Sequence, residues 1–236
     1  MSERHASERR HADRVARLLT EFGLGDEDRD AWLATGSPPN RFDDWLIDRV
    51  ARRPAGSRAR AVYGAADVHD FARRAILAEL ALGPGDELLD VGCGGGLLLR
   101  DAVASGARVV GLDHSAEMVE LARERAPDAT VVEGRAEQLP FEDGRFTAVS
   151  MSVVFFFLDD PLAVLRECRR VLRPGGRIAI YTTSPELRGT PAAPEPVATA
   201  GHFHDDEELV RLAAAAGFSD VRVESGDGGQ LLSGHR

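Results

Sequence analysis

The feature that most constrains this chain is a series of short apolar strands alternating with helix-length segments, with a glycine-rich turn directly after the first strand. ELLDV (87–91) is a short strand with apolar Leu88, Leu89 and Val91, and Leu97 to Val103 follows it as a helix. RVVGLD (108–113) is the next strand and Ala116 to Arg125 the next helix. ATVVEG (129–134), FTAVSMSVV (146–154) and RIAIYTT (177–183) are three further strands. A helix is expected over 161–172, with Pro161 at its start, where the missing N–H is tolerated. Another is expected over 205–216, where Asp205 and Glu208 have capping-box spacing and Gly217 closes the last turn. DVRVES (220–225) and QLLS (230–233) flank a glycine-rich turn and predict a terminal hairpin. Alternating units of this kind form a parallel sheet covered by helices.

Upstream of the alternation the pattern is helical. Val15, Leu18, Leu19 and Phe22 recur at helical spacing, as do Phe42, Trp45, Leu46 and Val50, and Gly36, Pro38 and Pro39 separate the two runs. Trp32, Phe42 and Trp45 are either helix packing or the lining of a substrate opening. A third segment, Val68 to Leu82, ends at Gly83-Pro84-Gly85. The division expected is a helical extension over 1–67 and an α/β domain over 68–236. Residues 1–60 carry 12 Arg against 11 acids, whereas the remainder carries 17 against 28, so the acid excess lies in the α/β part.

All 29 basic residues are arginine. Without lysine there is no Schiff-base chemistry and no phosphate-loop ammonium, and arginine stays protonated and cannot act as nucleophile or base. A net charge of -10 argues against a nucleic-acid partner. No apolar run approaches the roughly 20 residues that span a bilayer. The opening MSERHASERRHADR is charged throughout and predicts no secretory leader. With only Cys93 and Cys168, no disulfide framework is indicated, and a reduced cytoplasmic protein is expected.

Asp90, Gly92, Cys93, Gly94 and Gly96 form the turn after the first strand. Glycines there permit positive φ and close backbone approach to a ligand. The spacing does not suit a dinucleotide, because Leu97 stands where G-x-G-x-x-G needs its last glycine. A carboxylate at Asp90 would repel a pyrophosphate but favour a cation. Asp113, ending the second strand, is where an acid takes ribose hydroxyls. Together these describe an adenosyl ligand with a ribose, no phosphates and a positive charge.

At these residues the chain resembles the class I S-adenosylmethionine-dependent methyltransferases, of the kind that act on small molecules. LLDVGCGGG (88–96), GLDHSAEMV (111–119), EGRAEQLPF (133–141), VLRPGGRIAI (171–180) and AAAAGFSDVRV (213–223) match the family's motifs in order. The resemblance implies a Rossmann-like, seven-stranded, mostly parallel sheet with an antiparallel terminal hairpin and helices on both faces. It implies that Gly92, Cys93 and Gly94 present backbone to the methionine moiety, with Gly96 in the same turn. Asp90 would face the ammonium group and Asp113 the ribose hydroxyls. His114 and Met118 would lie beside the adenine, and Ala136 and Glu137 would line its pocket. Met151 and Ser152 would sit near the methionine backbone, and Tyr63 would serve as an aromatic lid.

Three positions depart from the family's pattern. Arg135, among the cofactor-side candidates, stands where an acid often binds the adenine amine. Thr147 stands where aspartate is common. Phe156 and Phe157 replace a frequent histidine pair and form either strand-end packing or an aromatic substrate wall.

His202, His204 and His69 are the candidate catalytic bases. His202-x-His204 without a third ligand is a poor metal set, so no metal is expected. The reaction expected is methyl transfer to a small molecule by in-line displacement. Two alternatives share parts of this pattern: a protein using the same cofactor for rearrangement or cyclisation, and a nicotinamide-dependent oxidoreductase. The helical extension is a candidate lid or homodimer surface.

Overall fold

The computed structural model describes residues 3–52, 54, 69–226 and 228–236. The expected boundary at 67/68 and Tyr63 lie outside the described residues.

The sheet is built from seven strands, apolar on both sides in its parallel centre, as burial on both faces requires, and alternating apolar with polar in the exposed edge strand of the terminal hairpin. They are β1 (Glu87–Val91), β2 (Arg108–Asp113), β3 (Thr130–Glu133), β4 (Phe146–Ser152), β5 (Leu172–Thr182), β6 (Ser219–Gly226) and β7 (Gly229–His235). Their order is β3-β2-β1-β4-β5-β7-β6, with β1 to β5 parallel and β7 antiparallel to both β5 and β6. This is the seven-stranded Rossmann-like arrangement expected, and the terminal hairpin forms the far edge.

Register assigns the side chains to two faces. Leu89 pairs with Val149, Met151 with Ile180, and Ile180 with Leu232. These residues form one core with helix α7 (Pro161–Val171) through Val164, Leu165, Cys168 and Val171, and with helix α9 (Asp206–Ala215) through Leu209 and Ala213. Leu88, Ala148, Ala179 and Tyr181 face the other way. They pack with helices α4 (Asp70–Leu80), α5 (Leu97–Val103) and α6 (Ala116–Arg125). Cys168 is packing in the first core, as its spacing with Leu165 and Leu172 indicates.

The N-terminal helices α1 (Glu3–Glu21), α2 (Asp26–Ala34) and α3 (Phe42–Ile47) carry their own apolar cluster of Val15, Leu18, Leu19, Trp32, Phe42 and Leu46. Trp32 meets Phe42 edge-on at 5.2 Å, and Trp45 stacks on Phe42 at 5.8 Å. A π-helical turn, Asp48–Arg52, continues α3, and Arg49 pairs with the buried Asp28 at 2.8 Å. The short helix α8 (Val197–Ala200) meets α3. Among the described residues, no helix is long and apolar enough to cross a membrane.

Three boundaries differ from expectation. β4 stops at Ser152, two residues short of the expected end, because Val153 turns to φ +57, and Phe155–Phe157 follows as a 3-10 turn. β5 begins at Leu172, five residues early, because Leu172 pairs with Phe146 before a register shift over the Arg-Pro-Gly-Gly segment. At α9, Asp205 accepts from the Glu208 N–H at 2.8 Å, but the Glu208 carboxylate meets His204 Nδ1 at 3.1 Å. The chain there shows the N-cap bond with Glu208 engaged elsewhere.

The base of the sheet explains Thr147. Its Oγ1 donates to Asp86 at 2.7 Å and accepts from the Glu87 N–H at 3.0 Å. Arg177 holds both Asp86 oxygens at 3.1 and 2.9 Å, which, with Thr147 and the Gly83 N–H, lowers the Asp86 carboxyl to about 2. An aspartate at 147 would set a second carboxylate against Asp86. Thr147→Val leaves both partners without their hydroxyl and is expected to cost about 1–3 kcal/mol in urea unfolding at pH 7. Asp86 binds its proton more weakly in the folded state, so its contribution is full above its ordinary value of 3.8 and is lost as pH falls through about 2. An acid titration of stability in the wild type and Thr147→Val checks both statements.

Candidate active site

Parallel strands present their C-terminal ends, and the loops leaving them, to one edge of the sheet. Ligands of such sheets bind there, where the chain reverses direction across the sheet, and here the reversal lies between β1 and β4.

The turn after β1 is pinned to the end of β2. Gly92 N–H and Cys93 N–H both donate to the Leu112 carbonyl, at 2.7 and 3.0 Å. Gly94 N–H donates to Asp113 Oδ2 at 2.8 Å, and Ser115 N–H donates to Asp113 Oδ1 at 2.9 Å. Gly92 and Gly96 have φ of +73 and +79. A Cβ on Gly92 would lie 2.6 Å from Val154 Cγ2, and one on Gly96 would lie 2.8 Å from the Ala122 backbone. Both positions therefore need glycine for conformation and for space. Cys93 is buried with its thiol pushed well up by desolvation, so it stays a neutral spacer.

Asp90 is 1% exposed, and Oδ1 accepts from Ser150 Oγ at 2.7 Å. Burial, with the nearby Asp113 charge adding to it, pushes the Asp90 carboxyl up to about 7. Burial also raises Asp113 against its amide hydrogen bonds. Ser150 was not singled out in the sequence. Its signal is positional, since register pairs Asp90 with Ser150 on neighbouring strands.

The N-terminal segment reaches His114, which stays exposed, and Ser115, which is buried. His114 Nε2 meets the Arg52 carbonyl, and Ser115 Oγ donates to the Pro54 carbonyl at 3.1 Å. Ser115 caps α6 toward Met118, whose side chain is buried. A cleft of about 470 Å³ opens beside them, lined by Trp45, Asp48, Arg49, His114, Glu117 and Glu133 among others. Trp45 thus both packs in the extension and borders this opening. Arg135 and Glu137 pair with each other at 3.3 Å on the exposed loop after β3, with Ala136 half-buried between them.

Past β4 the expected set separates. The Met151 side chain is fully buried in the core with Phe155 and Ile180, on the face away from Asp90, so only its backbone borders the site. Ser152 is half-buried at the strand end. Phe156 packs on Phe157 at 4.0 Å and Phe203 at 5.6 Å, in a cluster with Ile47, Ala193 and Val197. This wall stands at the ends of β4 and β5 and is capped by α3.

The three histidines are not brought together. His69 precedes α4 and meets Phe71 edge-on at 6.2 Å. His202 is half-exposed, 3.8 Å from Asp159, and its N–H donates to the Phe156 carbonyl at 2.6 Å. The His204 side chain is 11% exposed, between Glu208 and the Phe155 ring.

A family model for the methyltransferase domain matches residues 89–180. The demethylmenaquinone methyltransferase of Staphylococcus saprophyticus is 32% identical over 193 residues, covering 68% of this chain and 82% of that protein. This chain belongs to the S-adenosylmethionine-dependent methyltransferases. The demethylmenaquinone methyltransferase of Beutenbergia cavernae is 40% identical over 115 residues, 48% of each protein. An S-adenosylmethionine-dependent methyltransferase structure from Thermotoga maritima, described as a possible histamine N-methyltransferase, aligns with a TM-score of 0.60. It is 26% identical and covers 71% of this chain and 91% of that one. The chain spans a third to a half of the length of the first curated relatives it matches, at 32% and 48%.

S-adenosylmethionine is the cofactor that membership in this methyltransferase family implies, and the residues fit it. Among the described residues, Asp90 and Asp113 take their hydrogen bonds from Ser150 and backbone amides, with no arginine between them. Two buried carboxylates at that edge suit a cationic adenosyl compound.

Asp90 supplies a pH test. Its folded value lies above its ordinary 3.8, so in the free protein its ionisation lowers stability as pH rises from there through about 7. A cation beside it favours the carboxylate. S-adenosylmethionine is therefore expected to bind more tightly at pH 8 than at pH 6, releasing a proton at the lower pH. Calorimetry in two buffers of different ionisation enthalpy measures that proton. Asp90→Asn is expected to weaken binding about ten-fold at pH 8 and to flatten the pH profile. A flat profile in the wild type would show that the cation does not meet Asp90.

Proposed function

We propose that this chain transfers a methyl group from S-adenosylmethionine to a small-molecule acceptor. The observation that carries the reading is the buried Asp90–Asp113 pair around the glycine turn, one strand away from an apolar aromatic wall at the ends of β4 and β5. When bound, S-adenosylmethionine supplies a sulfonium methyl that is already activated for displacement. The protein's work is then positioning and exclusion of water.

In this reading Asp113 takes the ribose hydroxyls, and its amide bonds from Gly94 and Ser115 orient it for that. Asp90, oriented by Ser150, faces the ammonium group, while the backbone of Gly92, Cys93 and Gly94 lies along the methionine moiety. His114, Met118, Arg135, Ala136 and Glu137 flank the adenine, and Ser152 with the Met151 backbone closes the methionine side.

The extension over 1–67 acts as a lid on the domain over 68–236. Supporting this, the chain just after α3 touches both halves of the site edge. Arg52 and Pro54 carbonyls meet His114 and Ser115, Arg52 Nη2 reaches the Ala200 carbonyl at 3.4 Å, and Ile47 joins the aromatic wall. The wall suits a flat apolar acceptor. Two of the relatives are named for demethylmenaquinone, which places quinone-type rings first among acceptors to try.

The test is incubation with S-adenosylmethionine and a panel of phenolic, quinone-type and amine acceptors, with release of S-adenosylhomocysteine measured. The expected outcome is acceptor-dependent release. Folded protein that binds the cofactor no tighter than millimolar would overturn the cofactor site. Tight binding with no release from any acceptor would overturn methyl transfer alone.

A further inference from the structure

The cleft of about 470 Å³ lies between the end of α3 and the ends of β2 and β3. Its volume is in the range of small-molecule sites, roughly 300–1,000 Å³. One wall comes from the extension, through Trp45, Asp48 and Arg49, outside the methyltransferase-domain match at 89–180. The opposite wall includes His114, Ser115 and Glu133. Trp45 is half-buried. Phe42 stacks on it at 5.8 Å and Trp32 tilts against it at 5.6 Å, so packing fixes the indole while its remaining surface borders the cleft. The Arg49 guanidinium is held by Asp28 at 2.8 Å.

The cleft adjoins the acid read as the ribose ligand. His114 follows Asp113 directly, and the Ser115 N–H donates to Asp113 Oδ1 at 2.9 Å. Register pairs Asp113 with Glu133, and paired residues on neighbouring parallel strands point to the same face, about 4.8 Å apart. In a nucleoside the base is carried on the carbon next to the 2′-hydroxyl. A ribose held at Asp113 therefore carries its base within one ring width of that carboxylate. The adenine edge bears an amine, a donor that needs an acceptor. Arg135 has donors only, and Glu137 is paired with it at 3.3 Å. Glu133 is exposed at the cleft, and no basic side chain pairs with it among the described residues.

We propose that the N-terminal extension completes the cofactor site, with Trp45 stacked on the adenine in this cleft and Glu133 accepting a hydrogen bond from the adenine amine. It rests on the reading that Asp113 takes the ribose. Every base has a π-face, so the indole supplies affinity, while the carboxylate selects a ring that carries an amine. The extension is thereby held closed by the cofactor itself. Methyl transfer is not required for this binding, so the roles of both residues are testable without turnover.

The experiment is calorimetry and tryptophan fluorescence on the full chain, titrating S-adenosylhomocysteine and, separately, S-inosylhomocysteine, which carries an oxo group in place of the amine. The wild type is expected to prefer S-adenosylhomocysteine by about ten-fold, and its fluorescence to fall on saturation. Trp45→Leu is expected to lose about ten-fold for both ligands. Trp45→Phe keeps most of the affinity but loses the fluorescence change, since only Trp32 remains. Glu133→Ala is expected to lose about ten-fold for S-adenosylhomocysteine alone, which removes the preference. Thermal melting identifies a Trp45 variant that fails to fold, and the exposed Glu133 then carries the test through the ratio of the two ligands. Wild-type binding without a fluorescence change, or folded Trp45→Leu and Glu133→Ala that bind as the wild type does, would overturn the proposal and leave the cofactor reading standing. A wild type that binds neither ligand would overturn the cofactor reading and the proposal with it.

Discussion

The arrangement depends on one constraint: the chain leaving β1 must turn within hydrogen-bond reach of the end of β2. Gly92 and Cys93 amides on the Leu112 carbonyl, and the Gly94 amide on Asp113, meet that condition. The turn tolerates no Cβ at Gly92 or Gly96, because both have positive φ and Val154 and Ala122 already fill the space. The same bonds draw Asp113 toward Asp90. Two carboxylates are thereby buried near each other and made costly to ionise, unless a positive charge accompanies them. The cost of ionising both carboxylates is thus a consequence of one local geometry.

The sheet then separates two tasks along its C-terminal edge. On the β1–β2 side, acids and backbone amides suit a charged, hydroxyl-rich cofactor. On the β4–β5 side, aromatic rings make a wall. The chain just past α3 touches both regions, through His114 on one side and Ala200 on the other. A strained Val153, with φ +57, sits between them at the end of β4. A β-branched residue in that conformation persists only where its surroundings hold it. Here the Val153 N–H is held by the Tyr181 carbonyl at 2.8 Å.

The strands and most helices were legible because their residues satisfy periodicity and boundary chemistry together. ELLDV and RVVGLD are apolar on both faces and bounded by turns, and Asp113 ends its strand where the pattern says it should. Val153 and Val154 misled the strand assignment, since β-branched residues have strand propensity and only the φ of Val153 ends β4. Leu172 to Gly176 misled in the opposite sense. Proline and glycine suggest a loop, yet pairing with Phe146 carries strand geometry through it.

By itself, the sequence determined the α/β class, the glycine turn, and the two acids that speak for an adenosyl cation, because each depends on neighbours within a few residues. Tertiary structure alone decided that Ser150 orients Asp90, that Met151 turns into the core, and that His204 sits buried beside Glu208 while His202 does not. It also decided that Thr182 faces Gln230. Apart from the i,i+4 contact of His204 with Glu208, those facts are contacts between residues 48 to 60 positions apart, or choices between the two faces of a strand. A one-residue change of register reverses such a choice without altering the local pattern.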